Sequence, residues 1–202
     1  DWWQCLDAYY GIYLLDRVPL VLSDMVSQGI SRFLPKHLPT TFGTPALAAQ
    51  AVAAGRRSVE VLLPPVDVHL NRPGAVDGNA FREKIGVGAE DLLIVTVSRL
   101  VKQLKSESLF RTIAAVRELG TQLPLKFAMV GDGNARGDLA RAAEQANGEL
   151  GRDAIVLTGE MLDPRTAYAG ADIVVGMGGS ALRGMAFSKP VIVVGEEGFS
   201  AP

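Results

Sequence analysis

The stretch ADIVVGMGGSALRGMAFSKPVIVVGEEG (171–198) contains two short apolar runs, Ile173–Val175 and Val191–Val194, on either side of a glycine-rich turn. Both runs are β-branched, which is typical of buried strands, and residues 181–188 predict a short helix between them. The turn holds three glycines and a serine: Gly176, Gly178, Gly179 and Ser180. Such a turn exposes backbone N–H groups where a helix begins, and this arrangement binds anions, most often phosphate.

The same alternation of strand and helix extends upstream to about residue 90. Apolar runs predict five strands, at 92–98, 125–131, 154–159, 171–176 and 190–195. The helix after the first strand should carry Leu109, Ile113, Val116 and Leu119 on one face, and a polar helix is expected over 136–147. Strands that are nearly continuous in Val, Ile and Leu belong to parallel sheets covered on both faces. The sequence therefore predicts a doubly wound parallel α/β sheet.

The chain divides into three predicted segments. Residues 91–202 form the sheet domain, truncated at its carboxyl end, and residues 66–90, rich in Gly, Pro and Asn, are expected to be a connector. Residues 1–65 should then be the remnant of an upstream domain, with strands within 18–24 and 58–67 and a helix over 25–34. Because the chain starts at Asp1 and ends in GFSAP, we expect it to be a piece of a longer protein.

Composition excludes several classes of function. The net charge is -2 and the pI about 5.7, so no basic face for nucleic acid is expected. Cys5 is the single cysteine, which excludes an internal disulfide and suits a reducing compartment. His37 and His69 stand apart from other ligand-type residues, so no metal site is predicted. The apolar runs are shorter than the roughly 20 residues needed to span a bilayer.

Each predicted strand of the sheet domain ends in a polar or glycine-bearing loop. In a parallel sheet these carboxyl ends lie along one edge, which is where such folds bind ligands. A single glycine in such a loop more often makes a simple tight turn, but three glycines and a serine in the fourth loop are harder to explain as a turn alone. The loops are Ser98-Arg99, Gly131-Asp132-Gly133, Thr158-Gly159-Glu160, the turn 176–180, and residues 195–198.

Two cations follow the first predicted strand, Arg99 and Lys105. A Lys near a helix N-terminus is disfavoured by the helix dipole. An anion shared between Arg99, Lys105 and the backbone of the 178–180 turn would remove that conflict. The flat donor fork of Arg and the point charge of Lys together suit a diphosphate. The alternative is that both side chains are simply solvated.

Several segments in order resemble one known family. They are VSRLVKQLKSESLFRTIAAVREL, LKFAMVGDGNARGDLARAAE, IVLTGEM and YAGADIVVGMGGSALRGMAFSKPVIVV, preceded by LLPPVDVHLNRP and FREKIGV. Together they resemble the carboxyl-terminal domain of the group 1 glycosyltransferases, which are retaining and use nucleotide sugars. The resemblance covers about residues 55–202 well and the region around VPLVLSDMVSQGI more loosely.

The resemblance implies two Rossmann-like domains, with residues 1–65 the end of the acceptor domain. It implies a UDP-, GDP- or ADP-sugar donor and a saccharide or lipid-linked acceptor, as in polysaccharide biosynthesis, in the cytoplasm or at the inner face of the membrane. No metal or other cofactor is required in this family. Residues that match its donor site are Arg99 and Lys105 for the diphosphate, Gly159, Glu160 and Met161 for the nucleobase, Gly178, Gly179 and Ser180 for the phosphates, and Gly131 beside them.

Two positions depart from the family pattern. The family carries two Glu residues, one that contacts the donor sugar and one that contacts the ribose, and here these positions hold Val175 and Arg183. An Arg has no acceptor for ribose hydroxyls, but it can reach a phosphate, so Arg183 joins the candidate binding residues. The resemblance therefore leaves two possibilities, a different donor grip or a loss of activity.

Two other functions remain open at this level. Gly176-x-Gly178-x-x-Ala181 fits a dinucleotide fingerprint, with Glu196 in the place of a ribose-binding acid, which would indicate an NAD enzyme. The missing carboxylates instead suit a non-catalytic nucleotide-binding module. The aromatic opening DWWQCLDAYYGIY is expected to form a buried helix, with peripheral membrane contact as an alternative.

Overall fold

The computed structural model describes residues 2–25, 33–102, 106–195 and 200–201. The chain forms two compact units, Asp1–Pro65 and Val66–Pro202. Most of the helix predicted over 25–34 lies outside the described residues, as do Lys105 and Glu196. In the described part of the chain, no helix is both long enough and apolar enough to cross a membrane.

The first unit contains a small parallel sheet in the order β1-β2-β3. Its elements are α1 (Trp2–Ala8) running into a π-helical segment (Tyr9–Leu15), β1 (Leu22–Asp24), β2 (Thr40–Phe42), α2 (Pro45–Ala53) and β3 (Val59–Val61). Helix α2 begins where the Thr44 hydroxyl accepts from the N–H of Leu47 at 3.2 Å, a typical N-terminal cap. The aromatic opening is helical but only partly buried: Trp3 and Tyr10 are more than 60% exposed, whereas Tyr9 and Tyr13 pack against the cluster of Leu22, Leu34 and Leu38.

The second unit contains a six-stranded sheet in the order β6-β5-β4-β7-β8-β9. Its first five strands along the chain are parallel, and the short β9 pairs antiparallel to β8. The predicted doubly wound α/β fold is confirmed, and all five predicted strands are present. The elements are α3 (Asn79–Lys84), β4 (Leu92–Val97), α4 (Ser106–Leu119), β5 (Leu125–Val130), α5 (Arg136–Leu150), β6 (Ile155–Gly159), α6 (Arg165–Gly170), β7 (Ile173–Gly176), α7 (Gly179–Ala186), β8 (Val191–Val194) and β9 (Ser200–Ala201).

Alternate residues of the central strands enter two separate cores. Phe127 and Met129 of β5 pack with the buried faces of α4 and α5. Ala128 and Val130 of the same strand pack with residues of α3 and α6 and with Phe187, which follows α7. This alternation is the consequence of side chains pointing to opposite faces of a strand. Leu119, expected on the buried face of α4, is 46% exposed, because it is the last residue of that helix.

The segment 66–90, expected as a connector, is part of the second unit. Phe81 of α3 is buried in its core. The Arg82 guanidinium donates to the Asp172 carboxylate at 2.9 Å, to the Gly170 carbonyl at 3.0 Å and to the Asp91 carbonyl at 2.7 Å. These contacts fix α3 against the amino-terminal ends of β4 and β7, at the sheet edge opposite the loops described next.

Candidate functional site

The order of the sheet places a crevice between β4 and β7. From β4 the chain proceeds outward through β5 and β6, whereas from β7 it proceeds in the other direction to β8. At such a reversal the loops that leave the two strands diverge, and ligands bind in the crevice outside the carboxyl ends. The loops here are Ser98-Arg99 after β4 and the glycine turn 176–180 after β7. The structure therefore brings the predicted cation Arg99 and the predicted anion-binding turn to one edge.

The turn after β7 presents bare backbone at the start of α7. Gly178 precedes the helix with φ +54°, a conformation that favours glycine, and both Gly178 and Gly179 are exposed. No atom lies within 4 Å of a Cβ built on either residue. Ser180 differs, because its N–H already donates to the Met177 carbonyl at 3.2 Å. The accessible backbone of the turn is therefore at Gly178 and Gly179.

Gly176 has a packing reason to be glycine. A Cβ there would lie 2.8 Å from the Ser180 hydroxyl oxygen and 3.0 Å from the Ala181 nitrogen. The first turn of α7 therefore packs directly on the end of β7. This close approach holds the start of the helix at the crevice.

Ser98 is a polar residue of the crevice that the sequence analysis did not select. Its hydroxyl oxygen is buried and has no hydrogen-bond partner among the described residues. It lines a small cavity with Thr96, Gly176 and Met177. Its position in the sequence, directly after a buried strand and next to Arg99, could have marked it as a candidate site residue.

Arg99 is exposed at the end of β4. Within the described ranges its guanidinium makes no hydrogen bond or ion pair, so its donors are available to a ligand. Lys105, its predicted companion, falls outside the described residues. The pairing of the two cations stays a prediction.

The loops after β4, β5 and β6 are bonded to one another. The Ser98 N–H donates to the Val130 carbonyl at 3.0 Å, and the Gly131 N–H donates to the Gly159 carbonyl at 2.8 Å. Gly131 has φ +138°, and a Cβ on it would lie 1.9 Å from the Ser98 carbonyl oxygen. The structure therefore gives Gly131 a packing role, whereas Gly159 accepts the Gly131 N–H and has φ +80°, a backbone conformation that favours glycine. Their predicted contact with the donor stays a prediction.

The other residues predicted to contact the nucleobase differ in exposure. Glu160 is exposed at the loop after β6. Met161 is partly buried and packs against the core that contains Phe81. Glu160 is therefore accessible at this loop, while the Met161 side chain contributes to the core.

Tyr168 connects α6 to the start of α7. Its ring is almost fully buried, and its hydroxyl is 3.2 Å from the Ser180 hydroxyl oxygen. Burial raises the pKa of the Tyr168 phenol, an effect that the contact with Ser180 and the charge of Arg183 oppose. The Phe187 ring stacks parallel to it with centroids 5.9 Å apart. Sequence patterns missed Tyr168, because nothing in YAGADI shows that α6 meets α7.

Arg183 lies over the face of Tyr168, with its guanidinium carbon 5.8 Å from the ring centroid. Its Nε is buried and has no hydrogen-bond partner in the described part of the chain. The nearby Asp163 is bonded to Arg165, whose Nε lies 2.9 Å from both carboxylate oxygens. Arg165 first, and more weakly Arg183, hold the pKa of Asp163 below its ordinary value.

The dinucleotide alternative finds a different context from the one it needs. Its glycine pattern follows β7, the fourth strand of this sheet along the chain, and α7 is only eight residues long. The fingerprint normally follows the first strand of such a sheet and opens a full crossover helix. Its proposed acid, Glu196, lies outside the described residues.

Comparison with solved structures shows the same fold. HepE from Anabaena, solved in complex with UDP, superimposes with a TM-score of 0.67 over 90% of this chain and 55% of that chain, at 20% identity. A glycosyltransferase from Rickettsia africae gives 0.63, with 77% of this chain, 44% of that chain and 18% identity. A TarM mutant from S. aureus, in complex with fondaparinux, α-GlcNAc-glycerol and UDP, gives 0.58, with 77%, 29% and 19%.

The chain spans about half the length of HepE and less of the other two. No curated protein matches it in sequence. The family model described as glycosyl transferases group 1 matches residues 91–201, which is more than half of the chain and nearly all of the six-stranded sheet. The chain belongs to the group 1 glycosyltransferases.

Proposed function

We propose that this protein takes part in transferring a sugar, with retention of configuration, from a nucleoside diphosphate donor to a saccharide or lipid-linked acceptor. The observation that carries the proposal is the crevice between β4 and β7. It is flanked on one side by Arg99, which has no partner among the described residues, and on the other by the exposed Gly178–Gly179 backbone. Both features bind phosphate oxygens.

The chemistry requires stabilisation of the leaving group. When the bond between the sugar carbon and the phosphate oxygen breaks, negative charge develops on the departing nucleoside diphosphate. The backbone at the positive end of α7 is held by the helix, and Arg99 stands at the same sheet edge; both can donate to this charge. A well-aimed donor of this kind contributes roughly 2.7–4 kcal/mol to the transition state. Such stabilisation is available from protein groups alone.

The remaining donor contacts follow the family pattern in part. Lys105 would join Arg99 at the diphosphate, and backbone beside Glu160 would meet the nucleobase. Val175 cannot supply a sugar contact, because it lies within β7 and is 2% exposed.

UDP is the first ligand to test, since HepE and the TarM mutant were both solved with it. We place the reaction in the cytoplasm or at the inner face of the membrane.

The test is calorimetric titration of the chain with UDP, GDP, ADP and NAD. We expect one nucleoside diphosphate to bind, and the double variant Arg99→Ala, Lys105→Ala to weaken its binding by roughly 100-fold or more, since each charged hydrogen bond is worth about 1.5–3 kcal/mol. Arg117→Ala is the matched control, because Arg117 lies on α4 next to Glu149, in an ion pair at 3.7 Å. This control should bind like the parent.

Three outcomes would contradict the proposal. Preference for NAD would favour the dinucleotide pattern at Gly176–Ala181. Absence of binding to every nucleoside diphosphate would remove the donor site. Binding of a nucleotide sugar that the full-length protein neither transfers nor hydrolyses would favour the non-catalytic module.

A further inference from the structure

We propose that Arg183 binds the diphosphate of the donor and makes this site selective for diphosphates over monophosphates. This inference rests on the proposed function, because it assigns an additional contact within the same donor site. It is carried by the packing of Arg183 on Tyr168 and by the absence of a neutralising partner in the described ranges.

Arg183 carries a charge that its described surroundings leave uncompensated. The carboxylate of Asp163 is close enough to feel Arg183, but Arg165 engages both of its oxygens. Within the described residues Arg183 forms no ion pair and its Nε donor is both buried and unsatisfied. The buried Nε itself is out of reach of a ligand, but Arg183 as a whole is only partly buried. An anionic ligand at the accessible part of the side chain would supply the missing counter-charge.

The guanidinium is also held in one place. It rests on the Tyr168 ring, and that ring is fixed by the Phe187 stack and by its hydroxyl contact with Ser180. A cation fixed on an aromatic face loses little freedom when it binds an anion. The Tyr168 contact therefore preorganises Arg183 close to the start of α7.

Helix geometry directs Arg183 toward the anion-binding turn. Arg183 stands four residues after Gly179, so the two share one side of α7. Long side chains on a helix lean toward its N-terminus, which here is the exposed Gly178–Gly179 backbone. The full charge of Arg183 thus adds to the partial positive charge of the helix end. Arg99 stands across the crevice, so a ligand between them meets cations on both sides.

The chemistry of the side chain selects an anion. Arg offers a fork of donors and no acceptor, so it does not accept from ribose hydroxyls. Two adjacent phosphates present more charge and more acceptor oxygens than one. Arg183 is therefore expected to contribute more to binding of a nucleoside diphosphate than to binding of the monophosphate or the nucleoside.

The test compares UDP, UMP and uridine on the parent chain and on Arg183→Gln and Arg183→Lys. If the first titration selects another base, the corresponding series is used. Gln keeps length and hydrogen bonding but removes the charge. We expect Arg183→Gln to weaken UDP binding roughly 10- to 100-fold. The ratio of the UMP Kd to the UDP Kd should become smaller, and the affinity for uridine should stay the same. Arg183→Lys should restore part of the loss, and Arg117→Gln should change nothing.

The outcomes separate this inference from the proposed function. If the parent binds UDP and Arg183→Gln binds it equally well, the role of Arg183 is wrong while the donor site stands. If Arg183→Gln weakens UDP, UMP and uridine by the same factor, Arg183 only supports the fold through Tyr168, and the inference is again wrong. If the parent binds no nucleoside diphosphate, both proposals fail together.

Discussion

Replacing Gly131 with Ala tests the close approach between the loop after β5 and the Ser98 carbonyl in the loop after β4. The new Cβ would lie 1.9 Å from the Ser98 carbonyl oxygen, and the backbone at φ +138° is one that Ala rarely adopts. Backbone strain alone costs about 1–3 kcal/mol, and displacing the Ser98 carbonyl adds to it. We expect a loss of about 3 kcal/mol or more in the free energy of unfolding. For a unit of this size that lowers Tm by roughly 10 °C.

The chain offers a matched control in Gly148→Ala. Gly148 is exposed within α5, and no atom lies within 4 Å of a Cβ built on it. Because Ala is the better helix former, this change should stabilise the protein by about 0.5–1 kcal/mol. Replacement of glycine by alanine is thus expected to lower the free energy of unfolding at Gly131 and to raise it at Gly148.

The assay is urea denaturation followed by far-UV circular dichroism and by tryptophan fluorescence. The two tryptophans, Trp2 and Trp3, lie in the first unit, so fluorescence separates its unfolding from that of the second unit. A Gly131→Ala variant whose second unit unfolds within about 0.5 kcal/mol of the parent would refute the reasoning, since that is the range of neutral surface changes.

Three further substitutions test other contacts. Arg82→Met removes the guanidinium that donates to Asp172 and to backbone carbonyls, and should cost about 2–4 kcal/mol in urea denaturation; a loss below about 0.5 would contradict the anchoring of α3. Tyr168→Phe removes the contact with Ser180 and should cost about 0.5–1.5 kcal/mol. Because burial raises the pKa of Tyr168, the stability it contributes is present below its unfolded pKa of about 10 and is lost as pH rises through the folded pKa; Tm measured from pH 8 to 11 should therefore decline less steeply in Tyr168→Phe than in the parent. Arg99→Ala should leave Tm unchanged, since Arg99 is exposed, yet weaken UDP binding by roughly tenfold or more. Weaker binding accompanied by a lower Tm would indicate a structural role and count against a binding role.

The strands of the second unit could be predicted from sequence because each is a short run of buried apolar residues. Val95 and Val174 are fully buried and pair with each other in adjacent parallel strands. The loops at the carboxyl ends followed from the parallel arrangement alone. The position of Arg99 and of the turn at Gly178 on this edge could therefore be predicted from the sequence.

Other features depend on contacts between distant parts of the chain. The close approach of Gly131 to Ser98 requires knowledge of how two loops meet, and the Tyr168–Arg183 stack requires knowledge of how α6 and α7 pack. Residues 66–90 were expected to be a connector because of their Gly, Pro and Asn content. The pair Phe81 and Ile85, four residues apart and followed by Gly86, was the helix signal that this composition concealed.

The pairing of β4 with β7 also has a consequence for folding. Ile94 pairs with Ile173, so this contact closes a loop of nearly 80 residues, whereas β4 and β5 are joined through a single helix. A contact between residues that are far apart in sequence closes a longer loop, and this has a larger entropy cost. The two walls of the crevice are therefore expected to meet late, after β4, β5 and β6 have assembled. A nucleotide that binds there can recognise only chains that have completed this step, so its stabilising effect would report the finished topology rather than the secondary structure.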